Sequence, residues 1–283
     1  MKKKSKIFVL YHKSCSSGDG FGGAYAAWKK FGNRAEYIGI NHSDDLPRGV
    51  KGAEVYLIDI TYPEKTMRLL MKAAKQVIAL DHHKSSESDT KMASSYVYDL
   101  KRSGATIAWS YFFPHKKAPL LLQYIEDTDN WFFRLPHTKE MFASLATYER
   151  VFRTWDRLAK EWESPHGRKL HKERGGAILD YQSQLVKKAL DDAYEVSLLG
   201  HRIFVTNSSV LISVVANQLA QRSKAKFAIV WSRGRDIIKC SLRSHGARDV
   251  SKIAAHFGGG GHKHSSAFIL PTNATFPWKP IKK

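Results

Sequence analysis

Three apolar runs in the first third of the chain each end abruptly in side chains that can hold a metal ion. Ile7-Phe8-Val9-Leu10-Tyr11 ends in His12, Val55-Tyr56-Leu57-Ile58 ends in Asp59, and Val77-Ile78-Ala79-Leu80 ends in Asp81-His82-His83. Short apolar runs cut off in this way read as buried strands. In an open α/β sheet, ligands bind outside the carboxyl ends of the strands. Three strand ends carrying His, Asp and Asp-His-His therefore predict one shared site.

The intervening segments alternate strand and helix signals. A Gly-rich turn leads from the first strand into a helical pattern at 24–31, and 35–40 reads as a further strand. Pro63 suits the first turn of a helix that runs to about residue 74. Helical segments follow at 105–112 and 120–126. Alternating βα units predict a mostly parallel, doubly wound sheet in an N-terminal α/β domain. From about Glu140 to Tyr194 the strand signal vanishes, and Ile178, Tyr181, Leu185 and Leu190 recur at helical spacing. Strand signals return at 203–205, 227–231 and 237–242, with helices near 214–221 and 251–257. The expected organisation is a domain over 1–145, a helical spacer over 146–195 and a smaller C-terminal α/β domain over 196–283. A length of 283 residues accommodates two such domains.

Forty-six Lys and Arg against 26 Asp and Glu leave a formal charge of +20. That balance attracts polyanions without specifying a fold, and it points to a phosphate-bearing partner. No stretch approaches the roughly 20 apolar residues of a membrane span. Met1-Lys2-Lys3-Lys4-Ser5-Lys6 reads as a solvated basic tail ahead of the first strand, not as a secretory signal. Only Cys15 and Cys240 are present, which fits a reducing, cytoplasmic setting without a disulfide framework.

The candidate site gathers His12, Asp19 in a Gly- and Ser-rich loop, Asp59, Asp81, His82 and His83. Asp127 and Asp129 close the run Tyr124-Ile125-Glu126-Asp127-Thr128-Asp129 and compete for one place. Imidazoles with several carboxylates suit manganese or a similar divalent ion, whereas zinc would favour thiolates or fewer carboxylates. Crowded carboxylates need cations to stay ionised. Two ions roughly 3.5–4 Å apart, bridged by one carboxylate, would equip the site for attack on phosphorus. Each residue also has an ordinary use. Asp59 or Asp81 could cap a helix, Asp81 could orient a histidine, and Asp127 could serve a turn.

In the C-terminal part, Gly258-Gly259-Gly260-Gly261-His262 stands out. Consecutive glycines lose much backbone entropy on folding, so they usually meet a geometric need. Their N–H groups could form an anion nest, His262 adds a donor, and Arg243 offers a guanidinium fork for phosphate. A turn ahead of a strand at 267–270 is the plain alternative. Trp131, Phe132 and Phe133 follow the acidic run and could stack bases or fill the core.

Asp81-His82-His83 after an apolar strand resembles the name-giving motif of the DHH phosphoesterase superfamily. His12 with Asp19-Gly20, Asp59 and Asp127 follow in the order of that family's other metal motifs. Leu242-Arg243-Ser244, Asp249-Val250-Ser251 and the glycine run with His262 resemble the DHH-associated C-terminal domain. The set is most similar to short-oligonucleotide hydrolases and RecJ-like exonucleases.

The resemblance implies two Mn²⁺ ions, with Mg²⁺ or Co²⁺ as substitutes. It implies His12 on one ion, Asp59 on both, and Asp19, His82 and Asp127 on the other. It implies His83 at the phosphate, Asp81 orienting a histidine, and Arg243, Gly259, Gly260, Gly261 and His262 holding the substrate's end across a cleft between domains. The expected reaction hydrolyses short RNA or DNA oligonucleotides to nucleoside 5′-monophosphates by metal-activated water. Rival readings are a cyclic dinucleotide phosphodiesterase, a phosphatase of 3′-phosphoadenosine 5′-phosphate, a pyrophosphatase or polyphosphatase, and a non-catalytic nucleic-acid-binding protein. One departure stands out. The family's first motif places aspartates four and six residues after the histidine, where this chain has Ser16 and Gly18, with Cys15 beside them.

Overall fold

The computed structural model describes residues 6–13 and 17–281, so most of the basic leader, and Cys15 with Ser16, lie outside the described residues. The chain forms two compact units, one through Ile178 and one from Leu179.

In the first unit, β1 (Ile7–His12) is followed by α1 (Asp19–Phe31), β2 (Ala35–Ile40), β3 (Glu54–Ile58), α2 (Glu64–Ala73), β4 (Gln76–Asp81), the short α3 (Glu87–Thr90) and β5 (Ser95–Tyr98). Then come α4 (Gly104–Phe112), α5 (Leu120–Asp129), α6 (Thr138–Leu145), α7 (Phe152–Glu163) and α8 (Pro165–Asp191). The five strands form one sheet in the order β2-β1-β3-β4-β5, with every pairing parallel.

Apolar residues on both faces of the strands explain the double winding. Val9, Tyr56, Ile58, Ile78 and Leu80 meet α1, α4 and α5 on one face. Phe8, Leu10, Val55, Leu57, Val77 and Ala79 meet Met67 and Leu70 of α2 on the other. The sequence expectation of a doubly wound parallel sheet holds. The edge strand β5 escaped it because Ser95, Tyr96 and Val97 are exposed and carry no buried apolar run. Trp155, Leu158, Ala159 and Trp162 of α7 are buried in the first unit's core.

The second unit takes the end of α8, where Val186, Ala189 and Leu190 are buried against α9 (Ile212–Arg222). Its strands are β6 (Tyr194–Leu198), β7 (His201–Asn207), β8 (Phe227–Arg233), β9 (Ile237–Ser244), β10 (Gly260–His262), β11 (Ser265–Pro271) and β12 (Lys279–Pro280), with α10 (Ser251–His256) ahead of β10. They form a sheet in the order β10-β11-β9-β8-β7-β6-β12, antiparallel except between β7 and β8. Alternation along β8 sends Phe227 and Ile229 to one core and Ala228 and Val230 to the other.

Candidate metal centre

The parallel register brings the carboxyl ends of β1, β3 and β4 side by side. His12 closes β1, Asp59 stands one residue beyond β3, and Asp81 closes β4 ahead of His82 and His83. Asp59 has φ 61°, a left-handed conformation that aspartate tolerates better than most residues. Its N–H donates to the Leu80 carbonyl at 2.9 Å, which ties the turn to the neighbouring strand.

Asp19 arrives from the start of α1. The helix is pressed onto the end of β1: a Cβ on Gly20 would lie 2.4 Å from the His12 carbonyl oxygen, so only glycine fits. Asp19 is fully buried and accepts from the Gly104 and Ala105 N–H groups at 2.6 and 2.9 Å. Its carboxylate therefore sits on the positive N-terminus of α4. Asp129 ends α5 and accepts from the Ser17 hydroxyl at 2.6 Å.

Two sets of donors result. Ligand atoms of His12, Asp59 and His83 lie within 4.8 Å of one another, and so do those of Asp19, His82 and Asp129. Asp59 reaches both sets: Oδ2 is 3.6 Å from His12 Nδ1, and Oδ1 is 3.2 Å from His82 Nε2. His82 Nε2 also lies 3.6 Å from Asp19 and 3.4 Å from Asp129. Asp81 is buried beneath the motif. Its Oδ1 accepts from His83 Nδ1 at 2.8 Å and from the His82 N–H at 2.7 Å, and its Oδ2 accepts from the Thr90 hydroxyl at 3.3 Å.

Burial, with the charges of Asp59 and Asp129, pushes the Asp19 carboxyl well above the usual range. Burial would also raise Asp59, but the His12 and His82 imidazoles beside it hold it below its ordinary value. Burial would lower His82, yet the hydrogen bond to Asp59 and the charges of Asp19 and Asp129 push it up to about 9. His83 is raised by its hydrogen bond to Asp81.

The donors fit a divalent ion on independent grounds. His12 Nδ1 and Asp59 Oδ2 are buried, face one another and find no hydrogen-bond partner among the described residues. Such orphaned atoms are costly unless something compensates them. Three carboxylates within 3.6 Å of one imidazole nitrogen repel one another in the same way. A hard or borderline dication supplies what both arrangements lack.

Asp127, the ligand that the resemblance implies, is in neither donor set. Its oxygens accept from the N–H groups of Arg134 and Leu135 at 2.9 and 3.1 Å and from the Thr138 hydroxyl at 2.5 Å. A carboxylate so fully engaged clamps the turn after α5, and Asp129, two residues on, is the one beside His82. The helical twist of α5 decides between them, and no composition signal does. Gly104 and Ser17 were missed altogether, because nothing near them in sequence marks them as partners of Asp19 and Asp129.

In the second unit, Gly260–His262 is not an open loop but an edge strand paired with β11. Gly259 and Gly261 are required by close approach, since a Cβ there would lie 2.2 Å from the Ala267 carbonyl oxygen and 2.6 Å from that of Ser265. His262 pairs with Ser265, and Ser265 with Arg243, so the three lie in one row across β10, β11 and β9. The exposed His262 and half-buried Arg243 share a sheet face, and Arg243 donates to the Ser213 hydroxyl at 2.7 Å.

No protein-family model matches the chain. Uncharacterized protein R106 of Acanthamoeba polyphaga mimivirus is 30% identical over 287 aligned positions, which cover 93% of this chain and 67% of that protein. The chain belongs to the R106 family. Among solved structures, a pGpG-specific phosphodiesterase from Vibrio cholerae superposes with a TM-score of 0.56 at 11% identity, covering 95% of this chain and 94% of that one. An exopolyphosphatase-related protein from Bacteroides fragilis superposes at 0.52 and 11% identity, covering 97% of this chain and 89% of that one. At these identities the R106-family chain shares a fold with both. Among its described residues, no helix is long and apolar enough to cross a membrane.

Proposed function

We propose that the protein is a metal-dependent phosphoesterase of the DHH superfamily that hydrolyses phosphodiester bonds in short oligonucleotides. The observation that carries this reading is the meeting of two donor sets on one carboxylate, Asp59, at the ends of three parallel strands. The ordered motifs, the fold shared with a phosphodiesterase of a dinucleotide, and the net charge of +20 support it.

In this reading Asp19, Asp59, His82 and Asp129 hold one ion, and His12 and Asp59 hold a second. Mn²⁺ is the preferred metal, because the donors are imidazoles and carboxylates without thiolate among the described residues. A divalent ion there would neutralise the phosphate and lower the pKa of water. His83 gives Nδ1 to Asp81, which fixes the ring and leaves Nε2 to contact a phosphate oxygen. Arg243 and His262, on one face of the second sheet, are assigned to the substrate's terminal phosphate or base.

Purified protein with Mn²⁺ and a labelled dinucleotide or five-nucleotide RNA tests the reading, with Asp59→Asn and His82→Ala alongside and inorganic polyphosphate as a further substrate. Mononucleotide release by the wild type alone is the expected result. Tight, salt-sensitive RNA binding with no turnover of any substrate would instead make this a nucleic-acid-binding protein.

A further inference from the structure

Two residues past a donor of the candidate metal centre, the chain holds its most exposed tryptophan in a costly conformation. Trp131 follows Asp129 by two residues, so it lies within about 7 Å of it along the backbone. Its side chain is 77% exposed, and its backbone has φ 58°. Phe133, two residues later, has φ 50°. Bulky residues rarely adopt the left-handed region, and they persist there only where the surrounding structure imposes it.

The turn is held in that shape by a dense set of bonds. The Trp131 N–H donates to the Thr128 carbonyl at 3.1 Å, and the Phe132 and Phe133 N–H groups donate to the Asp127 carbonyl at 2.9 and 3.2 Å. The Asp127 carboxylate takes the next two N–H groups and the Thr138 hydroxyl. The ring of Phe133 braces Trp131 edge-on, with centroids 4.9 Å apart. Arg134 lies over Phe132 at 4.4 Å and Lys139 over Phe133 at 5.7 Å.

A strained turn that buries its aromatics would be explained by packing. This one displays an indole to solvent, next to a proposed metal ligand, with two cations stacked on the neighbouring rings. We propose that Trp131 is a stacking shelf for a nucleobase of the substrate, and that Asp127 is the clamp that sets it beside the metal centre. The inference rests on the phosphoesterase reading and narrows it. An indole contributes nothing to a polyphosphate, whereas stacking of a base on an aromatic ring is strong and tolerant of sequence. The substrate is therefore a base-bearing phosphodiester.

The test uses the full chain, with Trp131→Ala and Trp131→Phe. Binding of a fluorescent five-nucleotide RNA is compared with binding of an abasic oligomer of the same length, with Mn²⁺ present and phosphorothioate linkages in both oligomers to suppress turnover. The wild type is expected to prefer the base-bearing RNA. Trp131→Ala should lose that preference by roughly tenfold or more, and Trp131→Phe should restore most of it. Melting temperatures of all three proteins should coincide, since the side chain is exposed. Equal binding of both oligomers by the wild type, or an unchanged preference in Trp131→Ala, overturns the shelf. Failure of the wild type to hydrolyse any nucleotide with Mn²⁺ overturns the phosphoesterase reading, and it is read in a separate assay.

Discussion

The buried Asp19 carboxylate accepts the backbone N–H of Gly104 at 2.6 Å, across 85 residues of sequence. Gly104 is also pressed against Asp59, where an added Cβ would stand 2.6 Å from the Asp59 Cβ and 3.0 Å from Asp19 Oδ2. Gly104→Ala must therefore push apart two carboxylates of the candidate metal centre. On the proposed reading, phosphodiester hydrolysis is expected to fall by about a hundredfold, as a displacement near 1 Å does elsewhere. Isothermal titration with Mn²⁺ should show weaker binding, and unchanged affinity would show that α4 does not set the site.

Asp127 and Asp129 should separate stability from metal binding. Asp127→Ala leaves three donors of the turn without their acceptor, an expected loss of about 2–4 kcal/mol in urea unfolding. Asp129→Asn should leave the unfolding midpoint nearly unchanged and weaken Mn²⁺ binding. The reverse pattern would return Asp127 to the ligand set.

Metal removal should be visible in the folding equilibrium. An ion that binds only the folded chain stabilises it by about 2.7 kcal/mol at a hundred times its Kd. Wild-type protein is expected to melt several degrees higher with Mn²⁺ than with EDTA. Asp59→Asn should abolish that difference, because Asp59 reaches both donor sets. A rise that survives in Asp59→Asn would place the bound ion elsewhere.

Acid sensitivity has a named source away from the site. Burial works against the Asp156 carboxylate, but Lys160, Lys29 and the Tyr25 hydroxyl hold its pKa down to about 2. In an unfolded chain an aspartate titrates near about 3.9, so this group stabilises the fold above that pH. Its contribution fades as pH falls from about 4 toward 2. Thermal melts should show Asp156→Asn well below wild type at pH 7, with the gap closing over that window. A gap constant down to pH 2 would mean the ion pairs contribute nothing.

Legibility in the sequence followed burial. β1, β3 and β4 are apolar on both faces and could be read directly, as could β8 and β9. The exposed edge strand β5 and the short β12 carry no such run. The glycine run read equally well as a nest or a turn, and only its pairing with β11 made it a strand.

The residues alone pointed to a meeting of His12, Asp59, His82 and His83, because each closes a buried strand or follows one within two residues and parallel register aligns strand ends. Tertiary structure decided the rest. Which aspartate of Asp127 and Asp129 joins them depends on the twist of α5 and on three donors contributed by the turn beyond it. That Asp19 is held by the N-terminus of α4 depends on two helices packed edge to edge on one sheet face. Local pattern reports which side chains are buried, but partners far apart in sequence are chosen by packing, which no local pattern encodes.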